Sequence, residues 1–205
     1  MVNLFKRMRK LRSKILHVRV GPGAAILPST NNASKDFPAV TRLHLTYARK
    51  LYGGHLGARH FWRNCLQRLK FYNPGIPMSV KQTDEQNGPA ALTIYFAERA
   101  SAAALKHSAH IKDQYAPAPQ PNEKTAIIDT KDLDYKQIWQ KVQEATGAQE
   151  VKATPEEEEE LKKLEQMRIK SEEDRARVIG IRQAKKDQER MLQEARGEVE
   201  RLRQM

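Results

Sequence analysis

The last quarter of the chain restricts the possible folds most strongly. From Pro155 onward the sequence has no further proline, and its 13 basic residues are almost balanced by 14 acidic ones. Proline is well tolerated at the first position of a helix, and the five glutamates that follow it favour the positive end of the helix dipole. The sequence therefore predicts one long charged helix within residues 149–205, about 75 Å long at ~1.5 Å per residue.

A heptad pattern runs through this predicted helix but is incomplete. One register places apolar side chains at eight of its twelve core positions. The remaining four positions hold polar residues, namely Ser171, Asp174, Lys185 and Gln188. A coiled coil needs a continuous apolar seam, so we expect a monomeric helix rather than a coiled-coil scaffold.

The positive charge of the protein lies in its first 83 residues. The chain of 205 residues has a formal net charge of +12. Its first 83 residues contain 16 lysines and arginines against one acid, Asp36, whereas the rest has 21 basic and 24 acidic residues. A strongly basic half indicates a polyanionic partner, either nucleic acid or an anionic membrane surface. No apolar run approaches the ~18–20 residues that cross a bilayer, so we expect no membrane insertion.

Residues 1–37 are predicted to form a basic arm followed by a loop rich in glycine, proline, serine and asparagine. The arm carries seven basic residues and no acid: Lys6, Arg7, Arg9, Lys10, Arg12, Lys14 and Arg19. Two interpretations remain open. An arginine-rich, acid-poor segment is typical of a mitochondrial transit peptide, and it is equally typical of an arm that enters RNA grooves and becomes ordered on binding. Neither interpretation needs the arm in a globular core.

Residues 38–148 have the mixed pattern of an α+β domain. Alternating and β-rich stretches predict strands at residues 40–48, 76–80, 90–97 and 125–128. Apolar spacing predicts helices at residues 55–72 and 135–146. Residues 84–89 have the composition of a hairpin loop. Residues 100–123 are interpreted as an insertion, with a short alanine-rich helix and a proline-rich linker.

No catalytic or metal-binding pattern stands out. Cys65, the single cysteine, excludes an internal disulfide and falls on the apolar face of the predicted helix, which favours an inert buried thiol over a nucleophile. His55 and His60 lack the i, i+4 spacing of a metal pair, and the Gly-Pro-Gly of the loop lacks the spacing of phosphate-binding motifs. We therefore expect no enzyme activity, no metal or cofactor and no small-molecule substrate.

The helix predicted at residues 55–72 has the composition of an RNA-binding surface. Between residues 41 and 83 there are eight basic residues and no acid, so their repulsion is uncompensated unless a polyanion supplies negative charge. Aromatic rings between them offer stacking surfaces for unpaired bases. The candidate RNA contacts are Arg59, His60, Arg63, Arg68, Lys70 and Tyr72, whereas the core is expected to take Phe61, Trp62 and Phe71.

The order of these elements resembles the family of mitochondrial ribosomal proteins and the B8 subunit of NADH dehydrogenase (respiratory complex I). The resemblance lies in a strand, a Gly-Ala-Arg-x-Phe helix, a Leu-Lys-x-x-Asn-Pro turn and a second strand. The matching residues are Gly57, Ala58, Arg59, Phe61, Leu66, Leu69, Lys70, Asn73, Pro74, Pro77 and Val80. It covers residues 41–147, and the start of the chain looks most like the fungal large-subunit members.

The resemblance implies a thioredoxin-like core without redox activity. It also implies a structural protein of the large subunit of the mitochondrial ribosome, in the matrix, that binds ribosomal RNA and neighbouring ribosomal proteins. The alternatives are a small-subunit ribosomal protein and an accessory subunit of complex I. The second alternative needs no RNA-facing charge, so the basic first 83 residues count against it. A thioredoxin-like enzyme is disfavoured because the chain lacks a second cysteine. The long helix and the insertion at residues 100–123 go beyond the family pattern.

Overall fold

The computed structural model describes residues 3–50 and 52–204. The chain divides into two compact units, with the boundary between residues 153 and 154. The strands are β1 Ala25–Ile26, β2 Val40–Ala48, β3 Met78–Thr83, β4 Ala91–Ala97, β5 Glu123–Asp129 and β6 Gln149–Glu150. The helices are α1 Leu4–Arg19, α2 Leu56–Phe61, α3 Gln67–Tyr72, α4 Ala102–His107, α5 Tyr135–Thr146 and α6 Pro155–Gln204, and a π-helical turn, Trp62–Leu66, joins α2 to α3.

The central sheet has the strand order β3-β2-β4-β5. β2 runs parallel to β3 and antiparallel to β4, and β4 is antiparallel to β5. A parallel pair of strands needs a crossover connection, which the helical segment from α2 to α3 supplies. A β-α-β unit followed by an antiparallel pair and a helix is the topology expected of a thioredoxin-like core. The predicted α+β class is therefore confirmed.

The prediction of a hairpin at residues 84–89 is wrong. β3 and β4 lie on opposite sides of β2, where Leu43 is aligned with Met78 of β3 and with Ile94 of β4. Turn composition shows that the chain changes direction, but it does not show which strands pair. β2 is buried along most of its length, which suits a central strand, whereas the more exposed β3 lies at the edge of the sheet.

One face of the sheet and the helices enclose the hydrophobic core. The sheet contributes buried side chains such as Leu45 and Ile94, and the helices contribute Phe61, Ile138 and Val142. Removing one such side chain from water stabilises the fold by roughly 1.5–3 kcal/mol. The core therefore fixes the helix between β2 and β3, which carries six of the thirteen candidate RNA contacts, against the sheet.

The opposite face of the sheet is polar and contacts the segment that follows α4. The hydroxyl of Thr46 donates to Asp113 Oδ2 at 2.7 Å, and the hydroxyl of Tyr95 donates to a backbone oxygen of the same segment. The guanidinium carbon of Arg42 lies 4.1 Å from the centre of the Tyr95 ring. The predicted insertion at residues 100–123 is thus packed onto the fold.

Most of the predicted basic arm is a helix that belongs to the first compact unit. α1 begins after Asn3, whose side chain accepts a hydrogen bond from the Phe5 amide at 3.0 Å. Near its other end Leu16 is buried, and α1 contacts α3. Beyond α1, the predicted loop contains β1, which pairs with β6. The arm therefore has a folded attachment that its composition did not reveal.

The second unit is the predicted long helix. α6 begins at Pro155, and Thr154 and Glu157 exchange hydrogen bonds, each side chain accepting from the other residue's amide. Arg168 pairs with Glu165 and Glu172 along the helix surface, in the i, i+3 and i, i+4 arrangement that stabilises helices by roughly 0.2–0.5 kcal/mol per pair. No side chain of α6 is buried. Within the described ranges, no helix has the length and apolar character needed to cross a bilayer.

Candidate nucleic-acid interface

α1 presents a dense set of cations to solvent. All seven basic residues predicted as RNA contacts on this segment are exposed: Lys6, Arg7, Arg9, Lys10, Arg12, Lys14 and Arg19. The helix contains no acidic residue. In a short rigid helix these charges are held close together, so the free energy of their mutual repulsion falls when an anionic backbone approaches.

Arg68 is placed differently from the surface contact that the sequence suggests. Its guanidinium is buried, donating from Nε to the backbone oxygen of His17 at 2.7 Å and from Nη1 to that of Pro22 at 2.9 Å. Burial lowers the pKa of the guanidinium from its ordinary value. Arg68 therefore attaches α1 and the following loop to α3, and we remove it from the candidate RNA contacts.

The loop after α1 lies directly on the π-helical turn. Gly23 has a left-handed φ of +91°, and a Cβ atom there would lie 2.6 Å from the Cα atom of Cys65. Only glycine combines this backbone conformation with so close an approach. The Gly-Pro-Gly segment thus serves the packing of the arm, a role that its spacing did not indicate.

Asn73, from the Asn-Pro of the family pattern, also holds this loop. Its side-chain amide donates to the backbone oxygens of Ala25 and Leu69 at 2.8 and 2.7 Å, and its Oδ1 accepts from the Leu27 amide at 2.9 Å. The asparagine is buried. It therefore joins β1 to the end of α3 and has a structural role.

The helix between β2 and β3 presents a second row of polar and basic side chains. His60, Arg63, Gln67 and Lys70 are exposed, and Arg59 is half-buried. The π-helical turn inserts an extra residue into the helix, which changes the phase of the side chains around residues 62–66. The predicted contacts Arg63 and Lys70 remain on the outside of this helix.

The end of α3 holds its polar groups in fixed positions. Lys70 Nζ donates to the backbone oxygens of Pro74 and Ile76, both at 2.9 Å. The hydroxyl of Tyr72 donates to the backbone oxygen of Arg19 at 2.8 Å. Lys70 thus presents its cation from a defined place, whereas the phenol of Tyr72 is used to tie α3 to the end of α1.

Phe71 was expected in the core, but it is half-exposed at 50%. Its ring lies perpendicular to that of Tyr72, with the centroids 5.2 Å apart. Phe61 is buried as predicted, and Trp62 packs against the core while partly exposed. Because Phe71 follows Lys70 on the outer side of the helix, it is an additional candidate for contact with unpaired bases.

Cys65 cannot supply the chemistry of a thioredoxin-like enzyme. Its thiol is fully buried, and burial raises its pKa to about 12, more strongly than the nearby charge of Arg68 lowers it. The nucleophile in thiol chemistry is the thiolate, which is scarce at such a pKa. Among residues 3–50 and 52–204, no group of three histidine, cysteine or acidic side chains is arranged to hold a metal ion.

Comparisons with known proteins agree with these features. Residues 58–132 match the family model of the mitochondrial ribosomal protein L51 / S25 / CI-B8 domain. Large ribosomal subunit protein mL61 of Neurospora crassa is 34% identical over 207 residues, covering 99% of this chain and 98% of the relative. The mL61 protein of Saccharomyces cerevisiae is 45% identical over 56 residues, covering 25% of this chain and 41% of the relative. With this identity over nearly the full length of both proteins, the chain belongs to the mitochondrial ribosomal protein L51 / S25 / CI-B8 family.

Proposed function

We propose that this protein is a structural constituent of the large subunit of the mitochondrial ribosome, where it binds ribosomal RNA and neighbouring ribosomal proteins in the matrix. The full-length similarity to a large-subunit protein supports this assignment over a small-subunit protein or a complex I subunit. Its relatives are ribosomal proteins and not enzymes, and the protonated, buried Cys65 is consistent with a non-catalytic role.

The main support for RNA binding is that two helical segments without acidic residues, α1 and the segment from α2 to α3, contact each other. α1 and the segment from α2 to α3 together expose most of the basic residues of the first 83 positions. Arg68 and Tyr72 join them, because both side chains donate to backbone oxygens at the end of α1. The cations of both segments therefore approach one polyanion as parts of a single fixed surface.

Phosphate neutralisation by such a surface releases counterions from the RNA. The logarithm of the binding constant then falls by roughly 0.7–0.9 per logarithmic unit of salt for each phosphate contacted. With nine exposed lysines and arginines on the two segments, we expect binding that weakens steeply as salt rises. Exposed rings such as Phe71 would add stacking on unpaired bases, which depends little on salt.

α6 is proposed to contact neighbouring components of the subunit. Its described side chains are all at least partly exposed, and several large apolar ones lie open to solvent, among them Leu192, Val199 and Leu202. Apolar side chains interspersed with balanced charges suit a protein surface or a mixed protein and RNA surface better than RNA alone. This is the basis for proposing ribosomal proteins as partners.

The test is sedimentation of the tagged full-length protein from a mitochondrial lysate on a sucrose gradient, with RNase-treated and high-salt controls. A variant carrying R7Q, K10Q and K14Q removes three exposed cations of α1. The matched control carries K106Q, K112Q and K124Q, which change three exposed lysines outside α1, the segment from α2 to α3 and α6. We expect the wild type and the control to migrate with the large subunit and the α1 variant to be partly released at moderate salt.

Each other result has a clear meaning. Migration with the small subunit would keep the RNA-binding mechanism and change the assignment of the subunit. Migration with a respiratory complex that RNase does not alter would overturn the proposed function. Equal release of the α1 variant and the lysine control would remove α1 from the RNA-binding surface.

A further inference from the structure

α1 has a second face that RNA binding does not use. Its large apolar side chains are exposed by 50–75%: Leu4, Phe5, Met8, Leu11 and Ile15. Four of them follow the spacing i, i+4, i+7 and i+11, which places Leu4, Met8, Leu11 and Ile15 along one side of the helix. We call these four residues the apolar stripe of α1. Single exposed apolar residues are ordinary, but a continuous row of four on one short helix indicates a partner.

The surroundings of the stripe define the chemistry of that partner. The basic residues of α1 lie beside and behind the stripe, and the helix carries no acidic residue. An apolar groove would cover the stripe, and acidic side chains along its edges would pair with flanking cations such as Arg7 and Lys14. RNA offers the negative charge but no apolar groove of this kind, so the stripe and the basic side of α1 suit different partners.

We propose that α1 is the mitochondrial import helix of this protein, recognised through its apolar stripe by a receptor groove with an acidic rim, and that α1 is retained in the mature protein. The relatives are mitochondrial ribosomal proteins, so the chain has to reach the inside of the organelle. A basic amphipathic helix suits both steps of that passage. Its stripe fits a groove, and its net positive charge is drawn inward by a membrane potential that is negative inside.

The contacts at the C-terminal end of α1 are the reason to expect that α1 is retained in the mature protein. The backbone oxygens of His17 and Arg19 accept hydrogen bonds from Arg68 and Tyr72, and Leu16 is buried. Removal of these residues would take away the acceptor of Arg68 Nε and leave the buried guanidinium with the Pro22 oxygen but without its contacts to α1, and folded proteins avoid buried donors without acceptors. The last turn of α1 is therefore part of the mature fold, and the same helix first directs import and later contributes its cations to the RNA-binding surface.

The test is import of the radiolabelled full-length protein into isolated mitochondria, measured as the fraction protected from added protease. The stripe variant L4Q/M8Q/L11Q keeps the charge of α1 and a good helix former at each position. The matched control M167Q/I169Q/L192Q changes three apolar side chains of α6 with similar exposure. We expect the stripe variant to import at least about tenfold more slowly, since a buried apolar side chain contributes roughly that factor or more. The control should import normally, and an uncoupler should block import of all three proteins.

The mass of the imported protein tests retention separately. We expect the matrix-protected species to keep α1 intact and to bind RNA with the affinity of the purified full-length protein. Normal import of the stripe variant would overturn the assignment of the stripe, and a cut within or directly after α1 would overturn retention. A stripe variant that imports normally but fails to join the large subunit would show that a ribosomal neighbour covers the stripe, which also overturns the import role.

Discussion

Arg68 Nε donates a hydrogen bond to the backbone oxygen of His17 at 2.7 Å, and this contact between residues 51 apart in the sequence joins α3 to α1. A second nitrogen of the same guanidinium reaches Pro22. These bonds make the end of α1 a part of the folded unit, although its composition alone is that of a disordered basic arm. The position of the candidate RNA-binding cations on α1 thus depends on Arg68, a buried arginine that is not itself available to RNA.

Replacement of Arg68 is expected to detach α1. In R68A the backbone oxygens of His17 and Pro22 lose their donor and a buried side chain is removed, and we expect the free energy of unfolding to fall by about 2–4 kcal/mol. Urea denaturation followed by circular dichroism measures this change, and limited proteolysis reports release of α1. The control R63A removes an exposed arginine of the same helix and should change stability by less than about 0.5 kcal/mol. Equal stability of the two variants would contradict the structural role of Arg68.

The attachment of α1 should also weaken in acid. A ring nitrogen of His17 lies 3.0 Å from Arg68 Nη2, and burial, followed by the charge of Arg68, lowers the pKa of His17 below its ordinary 6.5. The folded state therefore binds this proton less readily than the unfolded state, so stability is fully present above pH 6.5 and is lost as pH falls through the lowered value.

Amide hydrogen exchange along α1 measures this loss at pH 7.5 and pH 5.5, after correction for the intrinsic exchange rates. We expect less protection at the lower pH in the wild type and a smaller difference in H17Q. Burial also lowers the pKa of His44, in the sheet, so global stability falls in acid by a second route. A change that is uniform over the whole domain would assign the effect to His44 rather than to His17.

Several elements could be read from the sequence because their signals are local. α5 spans the predicted residues 135–146, since Gln137 accepts from the amide of Asp134 at one end and Gly147 takes a left-handed φ of 66° at the other. α6 begins at Pro155 as expected. Arg68 was misplaced because its burial depends on a loop some 50 residues away in the sequence. Phe71 was wrongly assigned to the core, because near the end of a helix the spacing of apolar residues does not distinguish an exposed aromatic side chain from a buried one.

Gly57 of the family pattern is expected to tolerate no side chain. A Cβ atom at this position would lie 1.7 Å from the backbone oxygen of Leu133, where α2 packs against the chain entering α5. We expect G57A to lower the free energy of unfolding by about 3 kcal/mol or more, since the backbone on one side has to move. Thermal denaturation checks this against G75A, where nothing lies within 4 Å of the added atom. Similar melting temperatures for the two variants would show that the close approach is not maintained in solution.

Cys65 is expected to be unreactive while the protein is folded. Its burial and its pKa of about 12 leave little thiolate at pH 8 and no access for a reagent. A disulfide reagent should therefore modify the native protein only as fast as it opens, and it should react at once in denaturing urea. Rapid modification of the native protein would instead support a redox role for this thioredoxin-like domain. The variant R63A, which changes only a surface charge near Cys65, should react at the same rate as the wild type and serves as the control.

Phe71 is expected to contribute stacking rather than charge to RNA binding. Half of its surface is exposed, and its ring is supported at the edge by Tyr72, which is tied to the end of α1. We expect F71A to weaken binding to a single-stranded RNA by roughly 5- to 100-fold, as stacking on one aromatic contributes about 1–3 kcal/mol per base. The slope of affinity against salt should stay unchanged, because no phosphate contact is lost. F71W should restore binding, and Y52A removes a ring that is 80% exposed outside the helical segments and should have little effect. If F71A changed the salt slope or if F71L bound as well as the wild type, Phe71 would act through packing of α3 and not through stacking.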